Sequence, residues 1–467
     1  MTAPERVMII AWGSRGDIQP IVSLAVRLRE EGRKVIVFAT PPATDLLEAQ
    51  GIDHVAAREN IADFADHMFG TADLSDRSIR GLLRQIRQAR TYFESPEFLD
   101  IQKADAIRVL EAARDFAPDV MIVPNTMYGP FARIAEALQV PVVTMDLQVN
   151  HPSSDYPTFI WEIDRFPKWC NRTLYRIRTL VYRKLVQSKL DITRDICALP
   201  PRTYADGTRY RLWPHDLPQL CAVSPSICPK PQEWPEHKAM GGWLFTPGND
   251  NYMPPPGLPE FLLDRPVCIG FGSMKGNPEF RRKLSTLVIT ALKLAGVKGV
   301  LLGGWAGLTR EALDRTTDEG QALYDWAAEN VFELDACPHD WLFPQCSAVV
   351  HHGGAGTLAA GIRSGVPTIV CSILLDQPFH GSLVREHGIG KYMGAVGSRH
   401  LTACSLADAI TSVTTDPAIA EAAEAMGKQV RAEDGPGNAV RFIDQMATTY
   451  AYPWPVKRRI SDRAEVA

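Results

Sequence analysis

Val349-Val350-His351-His352-Gly353-Gly354-Ala355-Gly356-Thr357 reads as the end of a buried strand, a glycine-rich turn and the start of a helix. Ser347 to Val350 supply the apolar strand end. Gly353, Gly354 and Gly356 let the backbone turn tightly and come close to a ligand. Thr357 to Ala360 open a helix, whose first N–H groups and positive dipole end suit a phosphate. One αβ unit later, Gly365-Val366-Pro367-Thr368-Ile369-Val370 is a second strand, and Asp376-Gln377-Pro378 follows it. A phosphate cradle with a carboxylate and an amide beyond the next strand points to a nucleotide carrying a polyhydroxy group.

The same strand-turn-helix grammar runs through the chain. Val7 to Trp12 is a continuous apolar strand, as in a parallel sheet covered on both faces. Gly13 to Asp17 is a turn, Ile21 to Glu30 has helical spacing, and Lys34 to Ala39 is the next strand. Asp119 to Pro124, a helix over 130–138 and Val140 to Met145 repeat the unit, so this half predicts a doubly wound sheet. Residues 60–110 read as mainly helical and 151–220 as irregular, aromatic and basic. In that last stretch Phe159, Trp161, Phe166, Trp169, Tyr175 and Tyr182 alternate with Arg165, Lys168, Arg172, Arg176, Arg178, Arg183 and Lys184. It reads either as a wall for an apolar acceptor or membrane surface, or as helices with inward aromatics and a solvated basic face. Dense prolines between 224 and 260 suit a domain connection. A second βα series starts at Pro266 and includes the opening motif; helices are expected from there to about Thr448. The expected division is 1–235, 236–448 and an irregular tail over 449–467.

The chain has 467 residues, 45% hydrophobic and 22% charged, with a formal net charge of −4. That is ordinary for a soluble α/β protein and gives no sign of nucleic-acid binding. The nine cysteines are scattered without a CxxC pair, which fits a reduced, cytoplasmic protein. No apolar run approaches the about 18 residues that span a bilayer, and peripheral membrane contact is compatible with that.

With these residues in view, the chain resembles the nucleotide-sugar-dependent glycosyltransferases of small molecules, the UDP-glycosyltransferase superfamily. It is most similar to their sterol glucosyltransferase and bacterial natural-product branches. The resemblance rests on Gly13-Ser14-Arg15-Gly16-Asp17-Ile18-Gln19-Pro20, Phe271-Gly272-Ser273-Met274, Pro338 to Pro344, the motif from His351 to Thr357, and Asp376-Gln377. It implies the GT-B fold, two Rossmann-like domains facing each other across a cleft. It implies that His351 donates to a donor phosphate, with Gly353, Gly354, Ala355, Gly356 and Thr357 wrapping the diphosphate and Ser273 reaching it from the opposite turn. It implies that Asp376 and Gln377 bind the sugar hydroxyls. Plant members stack a Trp on the base where Ala336 stands here, which leaves base recognition to backbone near Cys337. Plant members also place a His where Asp17 stands and an Asp partner where Asn125 stands; Asp17 is then the candidate catalytic base. The co-substrate implied is a sugar nucleotide such as UDP-glucose, the acceptor a lipophilic small molecule, and no cofactor or metal is expected.

Transfer to a hydroxyl needs a base, a stabilised leaving diphosphate and in-line positioning. Asp17 also fits a helix cap, His351 a buried core histidine, and Asp376-Gln377 a turn before Pro378. His352 is expected to point away from the site. The chain lacks an Asp-x-Asp. Two other functions fit the same frame: a nucleotide-sugar epimerase and a non-catalytic sugar-nucleotide-binding partner.

Overall fold

The apolar runs build two parallel sheets. The computed structural model describes residues 3–13, 15–41, 44–69, 87–88, 90–125, 129–157, 167–199, 217–246, 252–272, 277–373 and 375–452. The first sheet contains β1 (Arg6–Ile10), β2 (Lys34–Ala39), β3 (Asp53–Ala56), β4 (Val120–Pro124), β5 (Val142–Asp146), β6 (Gln219–Cys221) and β7 (Lys238–Met240). Its order is β3-β2-β1-β4-β5-β6-β7. The second contains β8 (Val267–Gly270), β9 (Gly299–Leu302), β10 (Val331–Leu334), β11 (Ala348–His351), β12 (Thr368–Ser372) and β13 (Gly390–Ala395), in the order β10-β9-β8-β11-β12-β13. All pairings are parallel, with Val7 beside Val35 and Val120, and His351 beside Gly270 and Val370.

Each order reverses once, between β1 and β4 in one sheet and between β8 and β11 in the other. Ligands of open α/β sheets bind in the crevice at such a reversal, beyond the carboxyl ends of the strands. The turn holding Gly13 follows β1, and those holding Gly272 and Gly353 follow β8 and β11. Topology therefore brings the sequence motifs to the two crevices.

The principal helices are α1 (Arg15–Glu30), α2 (Pro96–Phe116), α3 (Lys168–Ile196), α4 (Pro278–Ala295), α5 (Ala355–Ser364), α6 (Gln377–Glu386) and α7 (Gly435–Thr449). α1 buries Ile18, Ile21, Leu24, Ala25 and Leu28 against β1 and β2. α2 starts at Ser95, whose hydroxyl accepts from the Phe98 N–H at 3.2 Å, with proline at the first helical position. α4 starts at Asn277, whose Oδ1 accepts from the Phe280 N–H at 2.8 Å, and ends at left-handed Gly296.

Several expectations need amendment. The stretch expected to be irregular over 151–220 contains α3, a 29-residue helix, and the expected helical remainder contains β13. On α3, Tyr175 is fully buried and Arg178 turns inward, while Trp169 is 80% exposed and Arg172 pairs with Glu233. Side chains thus divide between core and solvent along one helix. The expected boundary at 235 also cuts a continuous unit. β7 lies beyond it yet completes the first sheet, and α7 returns to pack against α1 and β5, with Ala439, Val440, Phe442, Ile443 and Met446 in the core of that sheet. Beyond α7, the residues up to 452 form no helix or strand. No helix among the described residues is long and apolar enough to cross a membrane.

Candidate functional site

β1 ends at Ile10, and the chain bends through Ala11 and Trp12 to Gly13. Gly13 adopts φ +132°, and a methyl there would come within 2.6 Å of Asp17 Cβ and overlap the carboxylate. Glycine is thus required on two counts, conformation and space. The buried Thr40 hydroxyl accepts from the Gly13 N–H at 3.2 Å and donates to the Gly13 carbonyl at 3.0 Å. The end of β2 therefore fixes the residue against which Asp17 rests. Asp17 itself is exposed, in the first turn of α1, where the helix dipole favours a carboxylate. α1 begins at Arg15, and Pro20 lies inside it. Proline has no N–H to give the carbonyl four residues back, so Gly16 C=O lacks its usual helical partner.

That Gly16 carbonyl faces the other domain. A Cβ placed on Gly356 would lie 3.7 Å from Gly16 O and 3.9 Å from Gly16 Cα. α1 and α5 are in contact there. The Asp17 turn and the phosphate-type turn consequently face each other across one cleft.

On the far side, α5 is capped by Gly354, which has no side chain to accept from the first turn. The first intrahelical bond runs from Leu358 N–H to Gly354 C=O at 2.9 Å. The N–H groups of Ala355, Gly356 and Thr357 precede that bond and have no carbonyl inside the helix. Gly353 does not join them, because its N–H donates to His351 Nδ1 at 2.9 Å.

The two histidines exchange the expected positions. His351 is 0% exposed and turned under α5, with Nε2 3.9 Å from where a Cβ on Gly361 would stand. It belongs to the interior and does not reach the cleft. His352 is the imidazole between the turns: a Cβ on Gly272 would lie 2.9 Å from its Cε1, and one on Gly354 3.0 Å away. Burial pushes His352 down to about 4, with His380 and His339 acting in the same direction, and holds His351 well below the usual imidazole range. Both rings are neutral at pH 7. Successive strand residues point to opposite faces, so the sequence held the signal: if His351 continues the inward face of β11, His352 must face the turn.

Asp376 precedes α6, half-buried, and burial raises its carboxyl above the usual range while His380 opposes the shift. Gln377 is 4% exposed, and its Oε1 accepts from the Ile373 N–H at 2.6 Å, which closes the loop after β12. Cys337 is half-buried and hydrogen-bonded to Tyr252, whose ring centroid is 5.0 Å from Trp341. Ser273 lies outside the described residues, as do Phe159, Trp161 and Phe166.

Asn125, at the end of β4, donates to Asp146 at 2.6 Å and is 4% exposed. Asn150 and Gln219 donate to the same buried carboxylate at 3.1 and 2.5 Å. Asn125 therefore belongs to a cage of amides around the buried Asp146 carboxylate.

Sequence reading missed a cluster that begins at Trp12, between β1 and Gly13. Trp12 Nε1–H donates to Glu59 at 3.0 Å, and Gln102 donates to the same oxygen at 3.0 Å. Lys189 of α3 is buried nearby, 4.5 Å above the Phe98 ring; burial pushes it down to about 7 against the pull of Glu59 and Asp105. Trp12, Phe64 and Tyr92 form an edge-to-face series with centroids 5.3 and 5.5 Å apart. No periodicity joins residues from a strand end and two helices, so this wall had no signature in the sequence.

Comparison with known proteins agrees with this layout. Residues 7–147 match the glycosyltransferase family 28 N-terminal domain, and residues 315–446 the erythromycin biosynthesis protein CIII-like C-terminal domain. A sterol 3-beta-glucosyltransferase of Arabidopsis thaliana is 28% identical over 441 residues, covering 94% of this chain and 65% of that protein. One of Komagataella phaffii is 29% identical over 452 residues, covering 94% of this chain and 34% of that protein. The chain thus spans about two thirds and one third of these relatives. Among solved structures, glycosyltransferase VinC in complex with DTDP superposes with TM-score 0.60 at 19% identity, over 95% of this chain and 99% of that one. SnogD from Streptomyces nogalater gives 0.59 at 19% identity, over 95% and 99%. These likenesses show the GT-B fold, two facing Rossmann-like domains. The two domain matches, in this order on this fold, mean that the chain belongs to the UDP-glycosyltransferase family.

Proposed function

We propose that the chain transfers a hexose, glucose from UDP-glucose, to a hydroxyl of a lipophilic small molecule, with a sterol as the leading acceptor class. The observation that carries this reading is the approach of Gly16 to Gly356. It sets a carboxylate and a helix N-terminus on opposite sides of one cleft. The similarity to sterol 3-beta-glucosyltransferases supports the donor sugar and the acceptor class.

In this reading Asp17 takes the acceptor proton as the hydroxyl oxygen attacks the anomeric carbon. The nucleoside diphosphate leaves toward the N–H groups of Ala355, Gly356 and Thr357, with His352 beside them. Cys337 and the backbone around it meet the base. Asp376 binds sugar hydroxyls and Gln377 holds the loop that presents it. Trp12, Phe64 and Tyr92 offer the acceptor an apolar wall. A single displacement inverts the anomeric centre. The reaction draws on both domains, so transfer requires the cleft to close.

The test is Asp17→Asn with the full chain, UDP-glucose and a sterol panel. Transfer should fall about 10²–10⁴-fold while UDP affinity stays within about twofold. Undiminished transfer would remove Asp17 from the mechanism. Isomerised sugar nucleotide formed from donor alone would replace the reading with an epimerase.

A further inference from the structure

Gly353 connects the strand end that carries His351 to the helix that carries the first-turn N–H groups. It adopts φ +90°, and a Cβ there would lie 2.8 Å from Val370 Cγ1 and 3.2 Å from the Gln377 carbonyl oxygen. Both polar groups of this residue are taken by imidazoles. Its N–H donates to His351 Nδ1 at 2.9 Å, and its carbonyl accepts from His380 Nδ1 at 2.7 Å.

These two bonds require opposite tautomers. His351 must leave Nδ1 bare and carry its proton on Nε2, whereas His380 must carry a proton on Nδ1. The rings are 0% and 4% exposed, so water does not compete for either bond. The partners come from different elements, β11 and α6. α6 is also the helix that Asp376 and Gln377 open.

We propose, on the basis of the donor-site reading above, that His351 and His380 are positioning residues that grip Gly353 from both sides. They fix the direction in which the Ala355, Gly356 and Thr357 N–H groups meet a diphosphate. The grip also ties the Asp376 loop to the phosphate turn, so the sugar-facing and phosphate-facing parts of the site keep one geometry. Neither imidazole touches the donor in this arrangement. A turn with a positive-φ glycine has many alternatives in the absence of such bonds. Holding it in advance removes an ordering cost from binding.

The chemistry of asparagine separates this role from mere packing. Asn places its amide near the position of imidazole Nδ1, and it can accept or donate there. His351→Asn and His380→Asn preserve the two bonds, while His351→Leu and His380→Phe fill the space without them. Calorimetric titration of the full chain with UDP and with dTDP should show the apolar variants weakened about tenfold or more and the Asn variants within about threefold of wild type. The KM for the sugar nucleotide should rise in the same pattern, with the acceptor KM unchanged. Apolar variants that bind as wild type, or Asn variants no better than apolar ones, would overturn the proposal. Failure of the wild-type chain to bind either nucleotide would sink the donor reading and this inference with it. Should the apolar variants not fold, imidazole ¹⁵N shifts in the wild-type protein decide. Opposite tautomers at His351 and His380 support the grip, and the same tautomer at both excludes it.

Discussion

Asp17 stands against Gly13, and Gly13 is held on both sides of its peptide by Thr40. A methyl on Gly13 must therefore displace the carboxylate. Gly13→Ala should lower transfer by about 10²-fold or more while leaving nucleotide binding intact, as separate transfer and calorimetric measurements will show. His352 and His351 make a second prediction at this scale. Both are buried neutral, with His339 and His380 near them and Asp376 beyond. An unfolded chain takes up protons near pH 6.5, while the folded imidazoles resist until far lower. Protons then favour unfolding, and stability falls as pH drops from about 6.5 toward 4. His352 alone should cost about 2 kcal/mol at pH 5, and His352→Gln should flatten that slope in denaturant unfolding.

The elements explain why the sequence pointed to this cleft. β1, β4, β8 and β11 are apolar runs whose ends lie at the reversals of strand order, so each glycine turn lands in a crevice. α5 presents its first turn because Gly354 caps it without a side chain. Small residues there also admit the other domain: a Cβ added to Gly356 would meet Gly16 at ordinary van der Waals range. Gly356→Ala should fold and retain transfer, whereas Gly356→Leu should hold the domains apart. The expected result for Gly356→Leu is a transfer rate down about tenfold or more, with thermal stability within about 1 kcal/mol of wild type.

At the scale of the molecule, the last helix belongs to the first domain. Ile443 is 0% exposed and shares one core with α1, more than four hundred residues away in sequence, which its helix contacts. Ile443→Ala should destabilise the chain by about 3 kcal/mol, read by denaturant unfolding. Arg33, after α1, grips Asp444 of the same helix through two bonds of 2.5 and 2.7 Å, and the pairing raises the Arg33 guanidinium further. Arg33→Met should cost about 2 kcal/mol. These contacts fasten the last helix to the first domain.

Local chemistry was legible because it is local. Apolar runs, glycine turns and helix starts announced β1, β8, β11 and β12, the turns at their ends, and a family resemblance with the GT-B fold. β6 and β7 have three residues each, and β3 mixes polar and apolar residues over four, so neither an apolar run nor a period shows there. The long α3 was obscured by its mixture of aromatic and basic residues, which serve core and solvent on one helix. The choice between His351 and His352 depended on which face of β11 is covered. Only packing determines that, through α5 lying over one side and the Gly272 turn over the other. Trp12 with Phe64, Tyr92 and Lys189, and the return of α7 to the first sheet, join residues far apart in the chain. Sequence by itself determined which groups could do the chemistry. Tertiary structure decided which of them face the cleft, because burial and partner geometry arise only when distant segments meet.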